Sequence, residues 1–191
     1  ITNPITQFYN PQNHHIYEYV GGSPWNPNLN ENAQIQNGYI TWSQAYSDAA
    51  KRVLAGSHGY LVTITSAEEN SFVANMIHTA ADGNSIWIGA SDAQQEGVWK
   101  WIDGPESGQI FAYTGFMSST PANGAYTNWY LPYLDNWGGF THPEGANYAM
   151  LGGWDQGYPV PGTWGDTPGL DGYVNGYVIE YSGTGSPYQL N

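Results

Sequence analysis

The sequence predicts a single α+β domain. Two stretches repeat their apolar residues at helical spacing, and several short segments alternate apolar and polar residues as strands do. Residues 103–147 are rich in Gly, Pro, Asn and aromatic residues and keep no regular period. A loop of this length inside a compact domain usually carries function. With 191 residues, 40% of them apolar, the chain is long enough for one sizeable core.

The two ends of the chain are polar, and each adjoins a predicted strand. Residues 1–14 contain two prolines and predict an extended arm. The alternation over residues 15–20 predicts the first strand, which ends at Gly21. Residues 176–181 predict a strong last strand, and residues 182–191 form a polar tail.

Capping residues and apolar spacing predict two helices. Thr41 opens the first helix with a capping box, and Gly56 is expected to end it. Ser66 opens the second helix in the same way. The predicted buried faces are Trp42, Ala45, Tyr46, Ala49 and Val53 in the first helix, and Phe72, Val73, Met76 and Ile77 in the second.

The run from Ile86 to Trp101 predicts two strands around a polar loop, and its three tryptophans can bury a large apolar area. Within the loop, Asp92 and Glu96 lie four residues apart with no basic neighbour before Lys100. Two such carboxylates suit a hard cation that takes oxygen ligands. On spacing alone, the favoured explanation is that they are solvated loop acids.

Charge and composition exclude several classes of function. The net charge of -13, with only three basic residues, makes nucleic acid and anionic membranes poor partners and favours divalent cations. The absence of cysteine excludes disulfides, thiolate metal sites and thiol chemistry. No apolar run reaches the ~20 residues of a membrane helix. The acids of the loop form no evident nucleophile–base pair, so a non-catalytic protein is expected. The composition predicts a secreted bacterial protein.

Three motifs in order resemble the C-type lectin-like domain. Residues 86–90 resemble its "WIGL" strand, residues 61–70 its second-helix signature, and residues 148–151 with 176–181 its closing strands. The resemblance covers about residues 15–181, between the arm (1–14) and the tail (182–191). It implies two helices packed on small antiparallel sheets, with a long irregular loop region at about residues 103–170 that carries ligand sites.

The resemblance also implies calcium. In calcium-binding members an Asp and a Glu occupy the positions of Asp92 and Glu96, and the nearest counterparts of the remaining ligands are Asn136, Glu144 and Asn147. The family's sugar-binding motifs, Glu-Pro-Asn and Trp-Asn-Asp, are altered here to residues 133–136 and 164–166. Of those motifs Asp135 and Asp166 remain as candidate ligand-binding residues.

Aromatic residues of the long loop are a second set of candidates for ligand contact. Exposed rings stack on sugars or anchor a protein partner, whereas buried rings would form a small core of the loop itself. The candidates for ligand contact are Trp129, Tyr133, Trp137 and Trp154. The sequence therefore predicts a secreted or cell-surface adhesion module that binds a glycan or an extracellular protein. The alternative is a self-assembling extracellular subunit, a homo-oligomer or filament, whose arms contact neighbouring copies.

Overall fold

The computed structural model describes residues 7–22, 28, 38–80, 85–136, 145–155, 158–169 and 174–183. These residues contain two α-helices, α1 (Trp42–Ala49) and α2 (Ala67–Ala80), and neither is long and apolar enough to cross a membrane. The strands are β1 (Gln7–Asn10), β2 (His15–Gly21), β3 (Val53–Leu54), β4 (Ser57–His58), β5 (Tyr60–Leu61), β6 (Ser85–Ser91), β7 (Val98–Trp101), β8 (Ile110–Gly115), β9 (Ser118–Pro121), β10 (Tyr148–Asp155), β11 (Tyr158–Thr167) and β12 (Val174–Tyr181). Short 3₁₀ turns cover Ala122–Gly124 and Leu131–Tyr133.

Most of these strands form one sheet in the order β1-β2-β12-β6-β7-β8-β9. Strand β10 pairs with β6 and β11, and β5 pairs with β12. Neighbouring strands are antiparallel except for β6 and β12, which run parallel with Tyr177 opposite Trp87. The predicted α+β class, with two helices and mainly antiparallel strands, is confirmed.

Strand β6 is buried along its whole length because both of its faces are covered. Ile86, Ile88 and Ala90 belong to a cluster that includes the inward residues of α2. Trp87, on the other face, shares a second cluster with Trp42 of α1. The indole N–H of Trp42 donates to the Ile88 carbonyl oxygen at 2.9 Å. The apolar residues at both alternating positions of β6 are therefore explained by a helix on each side of the strand.

The helix starts agree with the sequence, but the end of α1 does not. The Thr41 hydroxyl accepts from the Gln44 backbone N–H, and the Gln44 side chain accepts from the Thr41 N–H, which completes the predicted capping box. The prediction that Gly56 ends the helix and that Val53 lies on its buried face is wrong. Helix α1 ends at Ala49, and Val53 is 56% exposed in a small hairpin whose turn uses the positive φ of Gly56.

Helix α2 begins with a modified cap. Ser66 accepts from the Glu69 backbone N–H at 3.1 Å, as predicted. The Glu69 carboxylate reaches back one residue further than a capping box requires, to the backbone N–H of Thr65 at 2.8 Å. Val73, Met76 and Ile77 are buried and Phe72 is partly buried, in agreement with the predicted inward face. This start of α2 therefore fixes the Glu69 carboxylate in the protein interior.

The segment predicted to be irregular contains regular structure. Strands β8 and β9 form a hairpin that extends the sheet from β7. Phe111 and Ala112 of this hairpin are buried, whereas Tyr113, Phe116 and Met117 are exposed. The apolar residues at its exposed tip hide the alternation that a half-buried strand would show.

An aromatic cluster holds the long loop on the sheet. Trp101 stacks on Phe111 with ring centroids 4.4 Å apart, and Trp164 meets Trp129 edge to face at 5.6 Å. The Trp164 indole N–H donates to Asn70 of α2 at 2.7 Å. In a chain without cysteine, this packing and the hydrogen bonds around it fix the loop.

Part of the predicted arm belongs to the sheet. Strand β1 pairs antiparallel with β2, with Phe8 opposite Tyr17. Residues 7–10 are therefore docked on their own domain, whereas residues 1–6 lie outside the described part of the chain.

We predict that Gly89→Ala destabilises the domain by about 1–3 kcal/mol, because it overpacks the core. A Cβ at this position would lie 2.5 Å from the Leu61 carbonyl oxygen, which is backbone and cannot rotate away. The matched control is Gly115→Ala, whose Cβ would be 3.1 Å from the mobile end of the Ser118 side chain. Thermal melts compare the two variants. Equal stability of both would contradict the close approach of β6 to Leu61.

Candidate functional site

Acidic residues from three parts of the chain line one cavity of about 220 Å³. Asp92 and Glu96 come from the β6–β7 loop, and Asp166 comes from β11. Asp135 and Asn136 come from the segment after the second 3₁₀ turn. The cavity therefore holds four carboxylates and one amide.

The backbone of the β6–β7 loop fixes Asp92. The Ser91 hydroxyl donates to the Asn147 carbonyl oxygen at 2.7 Å, which ties the end of β6 to the segment before β10. The Gly97 backbone N–H donates to Asp92 Oδ2 at 2.9 Å. The positive φ of Gly97 lets the loop turn back towards this carboxylate. Asp92 is only 2% exposed as a result.

A second set of hydrogen bonds fixes Asp166. Its Oδ2 accepts from the Asn136 backbone N–H at 2.8 Å. The Asn136 side-chain oxygen accepts in turn from the Ala146 backbone N–H at 2.7 Å. Nearby, the Trp164 backbone bonds to residues 128 and 130, so β11 and the loop keep a fixed register. The cavity is thus built from backbone contacts rather than from pairs of charged side chains.

Each of these two anchored aspartates has one buried oxygen without a hydrogen-bond partner. They are Asp92 Oδ1 and Asp166 Oδ1. Burial raises the pKa of Asp92 to about 6, and the charge of Glu96 contributes to the rise. Burial raises the pKa of Asp166 to about 7, and the charge of Asp135 adds to it. Both pKa values are raised because the protein supplies no positive charge next to these carboxylates.

Arg52 and Lys100 do not supply that counter-charge. Arg52 pairs with Glu18 and Asp48, and Lys100 donates to Gln94 at 2.7 Å. None of the cavity's lining residues, all within the described part of the chain, is basic. A buried unpaired carboxylate is costly, and a bound cation removes that cost. The residues therefore fit a divalent cation that takes oxygen ligands.

Comparisons with known proteins agree with this arrangement. The family model of the lectin C-type domain matches residues 40–139. The chain belongs to the C-type lectin family. This confirms the resemblance seen in the sequence and places the chain among non-catalytic binding proteins.

Three similar proteins illustrate the relationship of this C-type lectin domain to others. Halomucin from Haloquadratum walsbyi is 34% identical over 134 residues, which are 69% of this chain and 1% of halomucin. The galactose-specific lectin nattectin from Thalassophryne nattereri is 30% identical over 88 residues, 46% of this chain and 50% of nattectin. The structure of the C-type lectin CEL-I from Cucumaria echinata has a TM-score of 0.58 at 19% identity, and the match covers 95% of this chain and 99% of CEL-I. The chain thus spans half or less of the length of these two curated relatives.

The C-type lectin domain brings together most of the predicted site residues. Asp92, Glu96 and Asn136, which were assigned to the first cation site, line the same cavity as Asp135 and Asp166, which were assigned to sugar binding. Asn147 adjoins the site, and its carbonyl oxygen accepts from the Asp92 backbone N–H at 3.3 Å. Outside the described part lie Glu144 and Trp137, and the side chains of Tyr133 and Trp154.

The aromatic candidates need one correction and one addition. Trp129 is only 8% exposed and packs against Trp99 and Trp164, so its ring belongs to the core and is not available for ligand contact. Phe116, which the sequence analysis missed, lines the cavity and is 74% exposed. Gly115 between two strand-like segments is the sequence signal from which a turn could have been predicted there.

We predict that Asp92→Asn and Asp166→Asn leave the melting temperature unchanged or raise it by about 2–4 °C when chelator removes all metal. An amide oxygen can still accept from Gly97 or Asn136, while the buried charge is removed. Glu68→Gln, at an exposed acid of α2, is the control. A clear loss of stability in both Asn variants would show that the protein itself satisfies these carboxylates.

Proposed function

We propose that this domain binds a glycan outside the cell through a calcium ion in the acidic cavity. The observation that carries the proposal is the pair of buried carboxylate oxygens, Asp92 Oδ1 and Asp166 Oδ1, that have no partner in a cavity lined by four acids. Family membership supports both halves of the proposal, because C-type lectin domains bind glycans and generally bind calcium.

The lining residues match the ligands that calcium prefers. Calcium takes six to eight oxygen ligands, from carboxylates, amide or backbone carbonyls and water. Asp92, Glu96, Asp135 and Asp166 would hold the ion. The Asn136 side-chain oxygen already accepts a hydrogen bond from the Ala146 backbone N–H. Asn136 would therefore orient the loop, or its oxygen would keep this bond and also bind the ion. Bound calcium supplies positive charge and coordination positions that sugar hydroxyls can occupy.

Phe116 supports the sugar half of the proposal. Its exposed ring lies at the edge of the same cavity as the carboxylates. The apolar face of a pyranose packs on such a ring while its hydroxyls face the cation. The similar protein nattectin is named as a galactose-specific lectin, which makes terminal galactosides the first ligands to test.

Secretion and self-assembly are the remaining parts of the sequence hypothesis. C-type lectins are typically extracellular or at the cell surface, and we propose the same location here. Self-assembly through the amino-terminal arm is less well supported, because residues 7–10 pair with β2 of their own domain. Light scattering with and without calcium tests the alternative, and particles that enlarge with calcium would favour a cation-bridged assembly.

We predict that calcium raises the melting temperature of the wild-type domain by about 5–10 °C at 100 times its dissociation constant, since binding there adds about 2.7 kcal/mol. Asp92→Asn and Asp166→Asn should lose most of this shift, and the control Glu68→Gln should keep it. No shift in the wild type would overturn the calcium part of the proposal.

We predict calcium-dependent binding on a glycan array that includes terminal galactosides, and no binding in EDTA. Asp166→Asn should abolish the signal. Phe116→Ala should weaken it about fivefold to tenfold while keeping the calcium shift, because only the stacking contact is removed. If calcium raises the melting temperature as expected but no glycan binds, glycan recognition is refuted and the search turns to a protein ligand.

A further inference from the structure

Asn70 is a buried polar residue of α2 that lies outside the acidic cavity. It is the last residue of the second-helix signature at residues 61–70, and it is only 5% exposed. A buried amide has to be hydrogen-bonded, because its transfer out of water is otherwise costly. The Asn70 side chain bonds to two residues of β11, which is the strand that carries Asp166.

The two hydrogen bonds of Asn70 hold β11 at two points. Asn70 Oδ1 accepts from the Trp164 indole N–H at 2.7 Å, and Asn70 Nδ2 donates to the Gly162 carbonyl oxygen at 2.8 Å. Gly162 has a φ of 78°, and a Cβ there would lie 3.4 Å from Asn70 Nδ2, so glycine leaves room for this close approach. Because the contacts are two residues apart, they fix both the position of the strand beside α2 and its rotation.

The same two residues of β11 also hold the long loop. The Asn128 side-chain amide donates to the Gly162 carbonyl oxygen at 2.6 Å. The Asn128 carbonyl oxygen accepts from the Trp164 backbone N–H at 2.9 Å, and the Trp164 carbonyl oxygen accepts from the Tyr130 N–H at 2.8 Å. Helix α2, strand β11 and the loop therefore meet at Gly162 and Trp164.

Asp166 follows Trp164 by two residues, so both side chains leave β11 on the same face, about 7 Å apart. The pairing of β11 with β10 is unbroken from Trp164 to Thr167, which carries a rotation at Trp164 on to Asp166. The Asn136 backbone N–H, which holds Asp166 Oδ2, belongs to the loop that is fixed at the same place. Calcium ligands lie within a narrow range of about 2.3–2.6 Å from the ion, so small displacements of Asp166 matter.

We propose that Asn70 is a positioning residue of the acidic cavity, which holds Asp166 in place through Trp164 and thereby sets the calcium affinity of the domain. This inference rests on the proposed calcium function, but the placement of Asp166 can be measured without metal. Removing a residue behind a metal ligand typically weakens metal binding about tenfold to a hundredfold. Asn70 acts through the strand rather than on the carboxylate itself, so we expect about tenfold.

Hydrogen exchange in calcium-free protein tests the placement of Asp166. Asn70→Leu keeps the branched shape of the side chain and removes both of its bonds to β11. Asn136 is exposed and its N–H donates to Asp166 Oδ2, so exchange of this N–H reports that contact. It should become about tenfold faster in Asn70→Leu. The internal control is the Gly97 N–H, which donates to Asp92 Oδ2 in the same cavity and should exchange at an unchanged rate.

Two results of this exchange experiment would overturn the proposal. An unchanged rate at Asn136 would show that Asn70 does not position Asp166, and equal acceleration at Asn136 and Gly97 would indicate general loosening. Trp164→Phe is the second variant, which keeps an aromatic ring and removes the same indole N–H from the other side. It should accelerate exchange at Asn136 in the same way, and it decides the question if Asn70→Leu does not fold.

Calorimetric titration with calcium, at a temperature where every variant is folded, tests the consequence. Asn70→Leu should raise the calcium Kd about tenfold. Ile77→Ala is the matched control, because Ile77 is a buried apolar residue about two turns further along α2. It should lower the melting temperature and leave the Kd unchanged. An unchanged Kd in Asn70→Leu would overturn the role of Asn70 in affinity.

The double variant Asn70→Leu/Trp164→Phe tests whether Asn70 acts through Trp164. Its Kd should be no higher than that of the weaker-binding single variant, because both changes break one contact. Additive losses would show that Asn70 acts by another route and would overturn this part of the proposal. A wild type that binds no calcium would overturn the calcium function and the role of Asn70 in affinity, whereas the exchange of Asn136 would still decide whether Asn70 positions Asp166.

Discussion

The double burial of β6 is the constraint on which the rest of the structure depends. Its residues alternate between two apolar clusters, one shared with α1 and one with α2, so both helices must pack on opposite sides of one strand. Gly89 allows the strand to approach Leu61 closely enough for this arrangement. The same strand ends at Ser91, whose hydroxyl holds the segment before β10, and delivers Asp92 into the acidic cavity. Packing of the core thus determines where the first carboxylate of the site lies.

The tryptophan cluster fixes the position of the long loop, as the packing of β6 fixes that of Asp92. Trp164 contacts Trp101, Phe111 and Trp129, while its indole N–H is satisfied by Asn70 of α2. Because Trp164 lies two residues before Asp166 in β11, the packing of one residue orients the other. A loop rich in glycine and proline pays a large entropy cost when it becomes ordered, and buried aromatic area offsets that cost.

Features that depend on short-range chemistry could be predicted from the sequence. The Thr41 cap, the inward face of α2 and the strand around Trp87 are fixed by neighbours within a few residues. The end of α1 could not be predicted, because Val53 continues the helical spacing while its backbone pairs with His58. The hairpin of β8 and β9 was hidden by exposed apolar residues at its tip. The convergence of Asp92 and Asp166 on one cavity depends on the pairing of β10 with both β6 and β11, which local patterns do not encode.

The acids of the cavity follow one principle of construction. Asp92 and Asp166 each give one oxygen to a backbone N–H, which fixes the carboxylate without neutralising it. The chain has 16 acidic and three basic residues, and two of those basic residues are engaged elsewhere. Charge that the protein buries but does not pair raises the free energy of the folded state. The proposed calcium ion would remove that penalty, and it would couple the stability of this domain to the binding of its ligand.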